Sequence, residues 1–176
     1  YTQNDFRTGL ILKKMQEYIG STRLHKVRAL CFCVDKEHAK FMNAKFTLAG
    51  LKTDVLTSDD SAHHRNLVKK QLQAGIINYL FVVDLFNEGV DIPEVDTILF
   101  LRPTESATVF IQQFGRGLRL HKDKDHLTVL DFVGHSRAEF SYKERFESLI
   151  GRHSRSIKEE IEGGFTNAPF GCKIIL

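Results

Sequence analysis

The sequence predicts an α/β domain in three layers, a mainly parallel sheet with helices on both faces. Two observations carry this. Apolar residues come in short continuous runs rather than in alternation, as strands do when helices cover both sides of a parallel sheet. Between those runs lie segments whose apolar residues recur every three or four positions, several of them closed by glycine. With 176 residues, 42% of them apolar and fourteen Phe among them, the chain has material for one proper core.

Phe6, Leu10, Ile11, Met15 and Ile19 have roughly helical spacing that ends at Gly20, so a first amphipathic helix is expected there. Residues 27–34 (VRALCFCV) are a compact run with β-branched and aromatic members, which reads as a buried strand. A helix follows from Lys36, with Ala39, Met42, Phe46 and Ala49 as its apolar positions and Gly50 closing it. Residues 52–56 make a short strand. Asp60 or Ser61 can then cap a helix running to Gln73, with Leu67, Val68 and Leu72 inward and a stop before Gly75. Further strands are expected at 79–83, 97–101 and 127–132, and helices at 106–115 and 137–150. After about residue 151 the pattern dissolves, with one helical turn around 156–161. Ligands of such sheets sit beyond the carboxyl ends of the strands, which singles out the loops after Val34, Leu56, Val83, Leu101 and Phe132.

Composition excludes several classes. Disorder and collagen-like structure do not fit 42% apolar and 27% charged residues. The apolar runs, such as 79–83, fall far short of the roughly eighteen residues that a bilayer span needs, and no signal peptide is visible. Three cysteines cannot pair into a secreted disulfide framework, so a reducing cytoplasm is the expected compartment. The net charge of +3 hides an uneven layout. Residues 1–75 carry 13 bases against 7 acids, residues 76–111 only Arg102 against six acids, and residues 112–158 ten bases against six acids. Such runs are ordinarily solvated faces unless motifs say otherwise.

Two segments carry the chemistry. Asn87-Glu88-Gly89-Val90-Asp91-Ile92-Pro93 follows a strand directly; Gly89 lets a ligand approach the backbone and Asp91 offers an acceptor carboxylate. Taken alone, Gly-x-Asp is also a common tight turn. In Gln112-Gln113-Phe114-Gly115-Arg116-Gly117-Leu118-Arg119, two arginines three apart project from one side of a helical turn. Guanidinium groups suit bidentate contact with phosphate oxygens, and a triphosphate fits such a pair, as does a surface ion pair with nearby acids.

Together the segments resemble a known family. FVVDLFNEGVDIP, followed by QQFGRGLR, looks like motifs V and VI of superfamily 2 helicases and translocases, and ALCFCVDKEHAKFM resembles motif IV. The likeness covers roughly residues 25–135 and implies the second RecA-like lobe of such a motor. LFLRPTES, LTVLDFVG and the stretch beginning YKERFESLIG further resemble large multidomain bacterial members of the DEAD/DEAH type, some with a phospholipase-D-like nuclease domain.

The resemblance implies ATP and Mg²⁺ as cofactors, held mainly by a first lobe, with Arg116 and Arg119 as arginine fingers on the γ-phosphate. Gly89, Asp91 and Gln112 would lie near the nucleotide. Thr57, Ser58, Asp84, Pro103, Thr104 and Ser106 would touch the nucleic-acid backbone, through hydroxyls and amides that do not read sequence. DNA is the expected partner, with RNA as the other option, and no metal is expected on this lobe. Val83, Glu88 and Gln113 depart from the family's frequent Thr, Arg and Arg. Neither a Gly-x-x-x-x-Gly-Lys-Ser/Thr loop nor an acidic Mg²⁺ motif occurs, so half of an ATPase is missing and the chain alone is expected to be inactive. Its Tyr1 start fits a fragment, expected to comprise a leading helix over 1–24, the lobe over 25–150 and the start of a following segment over 151–176. The competing function is a RecA-like docking module without catalysis, which the intact Gly89, Asp91, Arg116 and Arg119 argue against.

Other residues carry less. Cys31 and Cys33 read as core thiols rather than a metal pair, and His63 and His64 as a solvated helix face. Asp131 suits a backbone cap. Lys143, Arg145, Arg152 and Arg155 suit either a nucleic-acid track or a solvated face.

Overall fold

The computed structural model describes residues 3–83, 92–102 and 127–132. Its elements are helix α1 (Asp5–Ile19), the single turn α2 (Ser21–Leu24), strand β1 (Ala29–Phe32), α3 (Lys36–Leu48), β2 (Thr53–Leu56), α4 (Ala62–Ala74), β3 (Tyr79–Val82), β4 (Thr97–Phe100) and β5 (Thr128–Asp131). The strands form one sheet in the order β2-β3-β1-β4-β5, and every neighbouring pair is parallel. The helices expected at 106–115 and 137–150 lie outside the described residues.

Period two explains how the sheet feeds two cores. Ala29, Cys31, Tyr79, Phe81 and Leu99 face the layer of α1, α2 and α3, where Ile11, Met15, Leu24, Met42 and Phe46 meet them. Leu30, Phe32, Leu80, Val82, Ile98 and Phe100 face the other way, against Val68 and Leu72 of α4. Phe46 packs edge-on to Tyr79 at 5.5 Å and to Phe81 at 5.1 Å, while Phe32 stacks on Phe100 at 5.5 Å. Each such ring is worth roughly 1.5–3 kcal/mol of burial. A strand flanked on both sides has no solvent face, which is why these runs are continuous in sequence.

Local chemistry sets the helix ends. Asn4, Asp35 and Ser61 cap α1, α3 and α4 by accepting from the amides of Arg7, His38 and His64. Of the two residues expected to cap α4, Ser61 is the one that does. Gly50 follows α3 at φ +80°, and Gly75 ends α4 at φ +72°, a left-handed conformation that a side chain resists. A Cβ at Gly75 would also stand 2.5 Å from the Arg28 guanidinium.

Four apolar expectations are corrected. Phe6 is 77% exposed and Leu10 48%, and the buried stripe of α1 is Thr8, Ile11, Met15 and Ile19. Thr8 faces inward in the first turn, where its hydroxyl donates to the Asn4 carbonyl and meets the Met42 sulfur at 3.6 Å. Leu67 is 46% exposed, because Val68 and Leu72 alone point at the sheet, and Ala49 is exposed as the C-cap of α3. The turn α2 was not expected. It forms because Arg23 and Leu24 both donate to the Gly20 carbonyl at 3.1 Å while Leu24 buries its side chain. Among the described residues no helix is long and apolar enough to cross a membrane.

Candidate functional site at the carboxyl edge

Five parallel strands end at one edge, and α3 and α4 begin there, so their unpaired amide ends face the same side. The loop after β1 is built around two residues. Asp35 accepts from the His38 amide at 2.7 Å, and the Val34 amide donates to His38 Nδ1 at 3.2 Å. The imidazole is buried at 2% exposure. Burial, and then the positive charge of Arg7, lower its pKa to about 4, so at neutral pH it is an uncharged acceptor at Nδ1. Burial pushes both Cys31 and Cys33 thiols up, with the Arg102 charge working against this at Cys33. Both are core thiols, as expected.

The loop after β2 contains the two expected nucleic-acid contacts that the structure describes. The Thr57 amide and hydroxyl both donate to Asp60 Oδ2, at 2.7 and 3.1 Å, and Thr57 is 9% exposed. Asp60 also lies 3.7 Å from His64 Nε2 through its other oxygen. Ser58 is exposed, and its carbonyl accepts from Arg65 Nη2 at 2.8 Å. Lys36, at the start of α3, pairs with Asp59, and this hydrogen-bonded ammonium holds the Asp59 carboxyl below its usual range. The ion pair joins the loops after β1 and β2, and both side chains are largely in water.

At the far strands, Arg7 of α1 reaches over the edge. Its Nη2 donates to the Phe132 carbonyl at 2.5 Å and to the Leu101 carbonyl at 3.5 Å. Val83 follows β3 immediately before residues 84–91, and Arg102 stands immediately before residues 103–126. The segments expected to carry the nucleotide and strand contacts therefore depart from this edge. Their members Asp84, Gly89, Asp91, Pro103, Thr104, Ser106, Gln112, Arg116 and Arg119 lie outside the described residues.

The described part of the edge carries mixed charge: Arg7, Lys36 and Arg102 stand with Asp35, Asp59 and Asp60 around two helix amino ends. The sequence holds no Gly-x-x-x-x-Gly-Lys-Ser/Thr motif, and among the described residues no group of three or more His, Cys, Asp or Glu could hold a metal. His63 is exposed and His64 is partly so, in keeping with a solvated helix face. Arg7, Lys36, His38 and Asp60 were not expected as parts of the edge. Asp35 three residues before His38, and Asp60 three after Thr57, are capping spacings that could have flagged two of them; nothing local marks Arg7.

Comparison with known proteins agrees with this geometry. IRC3 of Saccharomyces cerevisiae is 39% identical over 130 residues, which is 70% of this chain and 19% of that protein. UvrABC system protein B of Tropheryma whipplei is 30% identical over 122 residues, 64% of this chain and 18% of that protein. The chain thus spans about a fifth of these relatives. Among solved structures, the Escherichia coli DEAD-box protein SrmB superposes with a TM-score of 0.58 at 20% identity, over 71% of this chain and 70% of that one, which speaks for the fold. Residues 11–121 match the model of the helicase conserved C-terminal domain, and that span takes in four of the five strands and both motif-bearing segments. With sheet order, strand ends and sequence in agreement over more than half its length, the chain belongs to the helicase conserved C-terminal domain family of superfamily 2 helicases.

Proposed function

We propose that this chain is the second motor lobe of an ATP-dependent helicase or translocase acting on nucleic acid, in the first instance DNA, in the cytoplasm. The observation that carries the proposal is the family match over residues 11–121, which includes Gly89, Asp91, Gln112, Arg116 and Arg119 in their expected order. The parallel sheet supports it, because the segments holding those residues leave from its carboxyl edge. The proposal extends to the bacterial multidomain members, some with a phospholipase-D-like nuclease domain, on the strength of LFLRPTES, LTVLDFVG and YKERFESLIG. The proposed divisions are a leading helix over 1–24, which packs on the lobe's core, the lobe over 25–150 and a separate segment over 151–176.

Bound ATP with Mg²⁺, held by a preceding lobe, supplies the phosphoryl group transferred to water. Arg116 and Arg119 then meet the γ-phosphate and stabilise the charge that develops on it, while Gly89, Asp91 and Gln112 approach from the same lobe. Ser58 offers an exposed hydroxyl to a nucleic-acid phosphate. Thr57 shapes the loop, since both its donors are taken by Asp60. Lys36 can exchange Asp59 for a phosphate at small cost, because an exposed pair is worth about 0–1 kcal/mol.

The test uses the full-length protein. Arg116→Ala and Arg119→Ala should each lower ATP turnover by roughly 10³-fold or more while nucleic-acid affinity stays near that of the parent. Full turnover in both variants would overturn the proposal.

A further inference from the structure

The geometry points to Arg7 as a positioning residue for the finger-bearing segment, making α1 a working part of the carboxyl edge as well as the arm that leads into the lobe. The inference rests on the proposed function above. Its observations are independent of the motifs. The regular ladder stops at this edge, with Leu101 donating to the Phe32 carbonyl at 3.0 Å and Phe132 donating to the Phe100 carbonyl at 2.9 Å. Just past those last bonds, the carbonyls of Leu101 and Phe132 both accept from one nitrogen of Arg7. Leu101 stands one residue before Arg102, after which the chain runs through Gln112, Arg116 and Arg119 and returns as β5. One guanidinium therefore fixes the point where the finger segment departs against the end of the strand to which it returns.

Arg7 is itself held from the other side. Its amide donates to Asn4 Oδ1 at 2.9 Å, Asp5 pairs with Lys45 of α3 at 2.6 Å, and Thr8 contacts Met42 of the same helix. The first turn of α1 is thus tied to α3, and α3 to the loop after β1. A shift of α1 relative to the sheet would pull directly on Leu101 and Phe132. Arginine suits this position, since it keeps its charge and holds both N–H donors of Nη2 in the rigid guanidinium plane, whereas a lysine ammonium rotates on a more flexible stem. A finger misplaced by about an ångström can lose as much as 10²-fold in rate without loss of binding, so the expected signature lies in kcat.

In the full-length protein, Arg7→Met keeps the apolar stem and removes the donors. Its ATP kcat should fall about tenfold or more while the KM for ATP and the Kd for single-stranded DNA stay within about twofold. Arg7→Lys should recover part of the loss. A folded Arg7→Met protein with kcat within twofold of the parent would overturn the inference, and so would equal loss of kcat and strand binding in proportion to the folded fraction. Should Arg7→Met not fold, Arg7→Lys decides alone: lowered kcat at unchanged KM supports the role, and parental kcat refutes it. Arg116→Ala in parallel separates the two claims. If that variant is dead and Arg7→Met is not, only the positioning role fails; if Arg116→Ala turns over normally, the proposed function itself fails.

Discussion

The two ends of the same sheet are finished in different ways. At the amino edge, buried neutral side chains donate to backbone carbonyls or to the part-buried Asp96 carboxylate. Tyr79 donates its hydroxyl to the Leu24 carbonyl at 2.8 Å, Asn78 donates to the Val27 carbonyl at 3.0 Å, and the Thr97 hydroxyl donates to Asp96, which also accepts from the Arg28 amide. Tyr79 and Thr97 are fully buried, Asn78 is 2% exposed, and burial pushes the Tyr79 phenol up out of reach of any physiological titration. At the carboxyl edge Lys36 pairs with the exposed Asp59 and His64 stands near Asp60, beside the buried His38 imidazole. Buried neutral bonds are costly to break and hold one arrangement, whereas exposed ion pairs exchange partners cheaply. The amino edge is therefore the more fixed of the two, and the carboxyl edge keeps a pair, Lys36 with Asp59, that can change partners cheaply.

Substitutions and pH can break or sharpen this contrast. The largest effect expected comes from the buried His38 imidazole at the carboxyl edge. The His38 imidazole titrates near its ordinary 6.5 when unfolded and at about 4 when folded, so below 6.5 the unfolded chain binds a proton that the native one refuses. Its contribution is whole above pH 6.5 and is lost as the pH falls through 4, by about 3 kcal/mol in all. Urea melts between pH 7.5 and 4 read this, and His38→Gln should flatten the profile in that window. Next, Asn78→Ala leaves the Val27 carbonyl buried without its donor and should cost about 2–3 kcal/mol of unfolding free energy in the same assay. Tyr79→Phe removes a single bond at the same edge and should cost about 1 kcal/mol. The smallest change is expected at the other end, where Lys36→Ala should move stability by less than about 0.5 kcal/mol. Equal costs for Lys36→Ala and Asn78→Ala would erase the distinction between the edges.

Much of this fold is legible because each element declares itself locally. The runs around Leu30, Leu80 and Ile98 are continuous since both strand faces are covered, and Ser61 and Gly75 bracket α4 by capping chemistry that needs no distant partner. Which apolar residue of a helix points inward was less legible. Phe6, Leu10 and Leu67 fit a helical period as well as their buried neighbours do, and only tertiary packing decides between them: Thr8 against Met42 in α1, Val68 and Leu72 against the sheet in α4. The site divides in the same way. The arginines and the Gly-x-Asp turn stand out as patterns, while Arg7 is invisible beforehand because its acceptor Phe132 lies 125 residues away. Thr57 was visible as a hydroxyl after a strand, but its capture by Asp60 depends on loop geometry that the residue types alone do not fix.

The division of labour between the edges is tested most directly by backbone amide chemical shifts of the 176-residue chain titrated with single-stranded DNA at low salt. Shift changes are predicted at Lys36, Ser58, Asp59 and Arg102 on the carboxyl edge, with Lys26, Arg28, Asn78 and Asp96 on the amino edge unmoved. Changes centred on Lys26 and Arg28 instead would contradict the account, since the strand would then be meeting the base of the lobe.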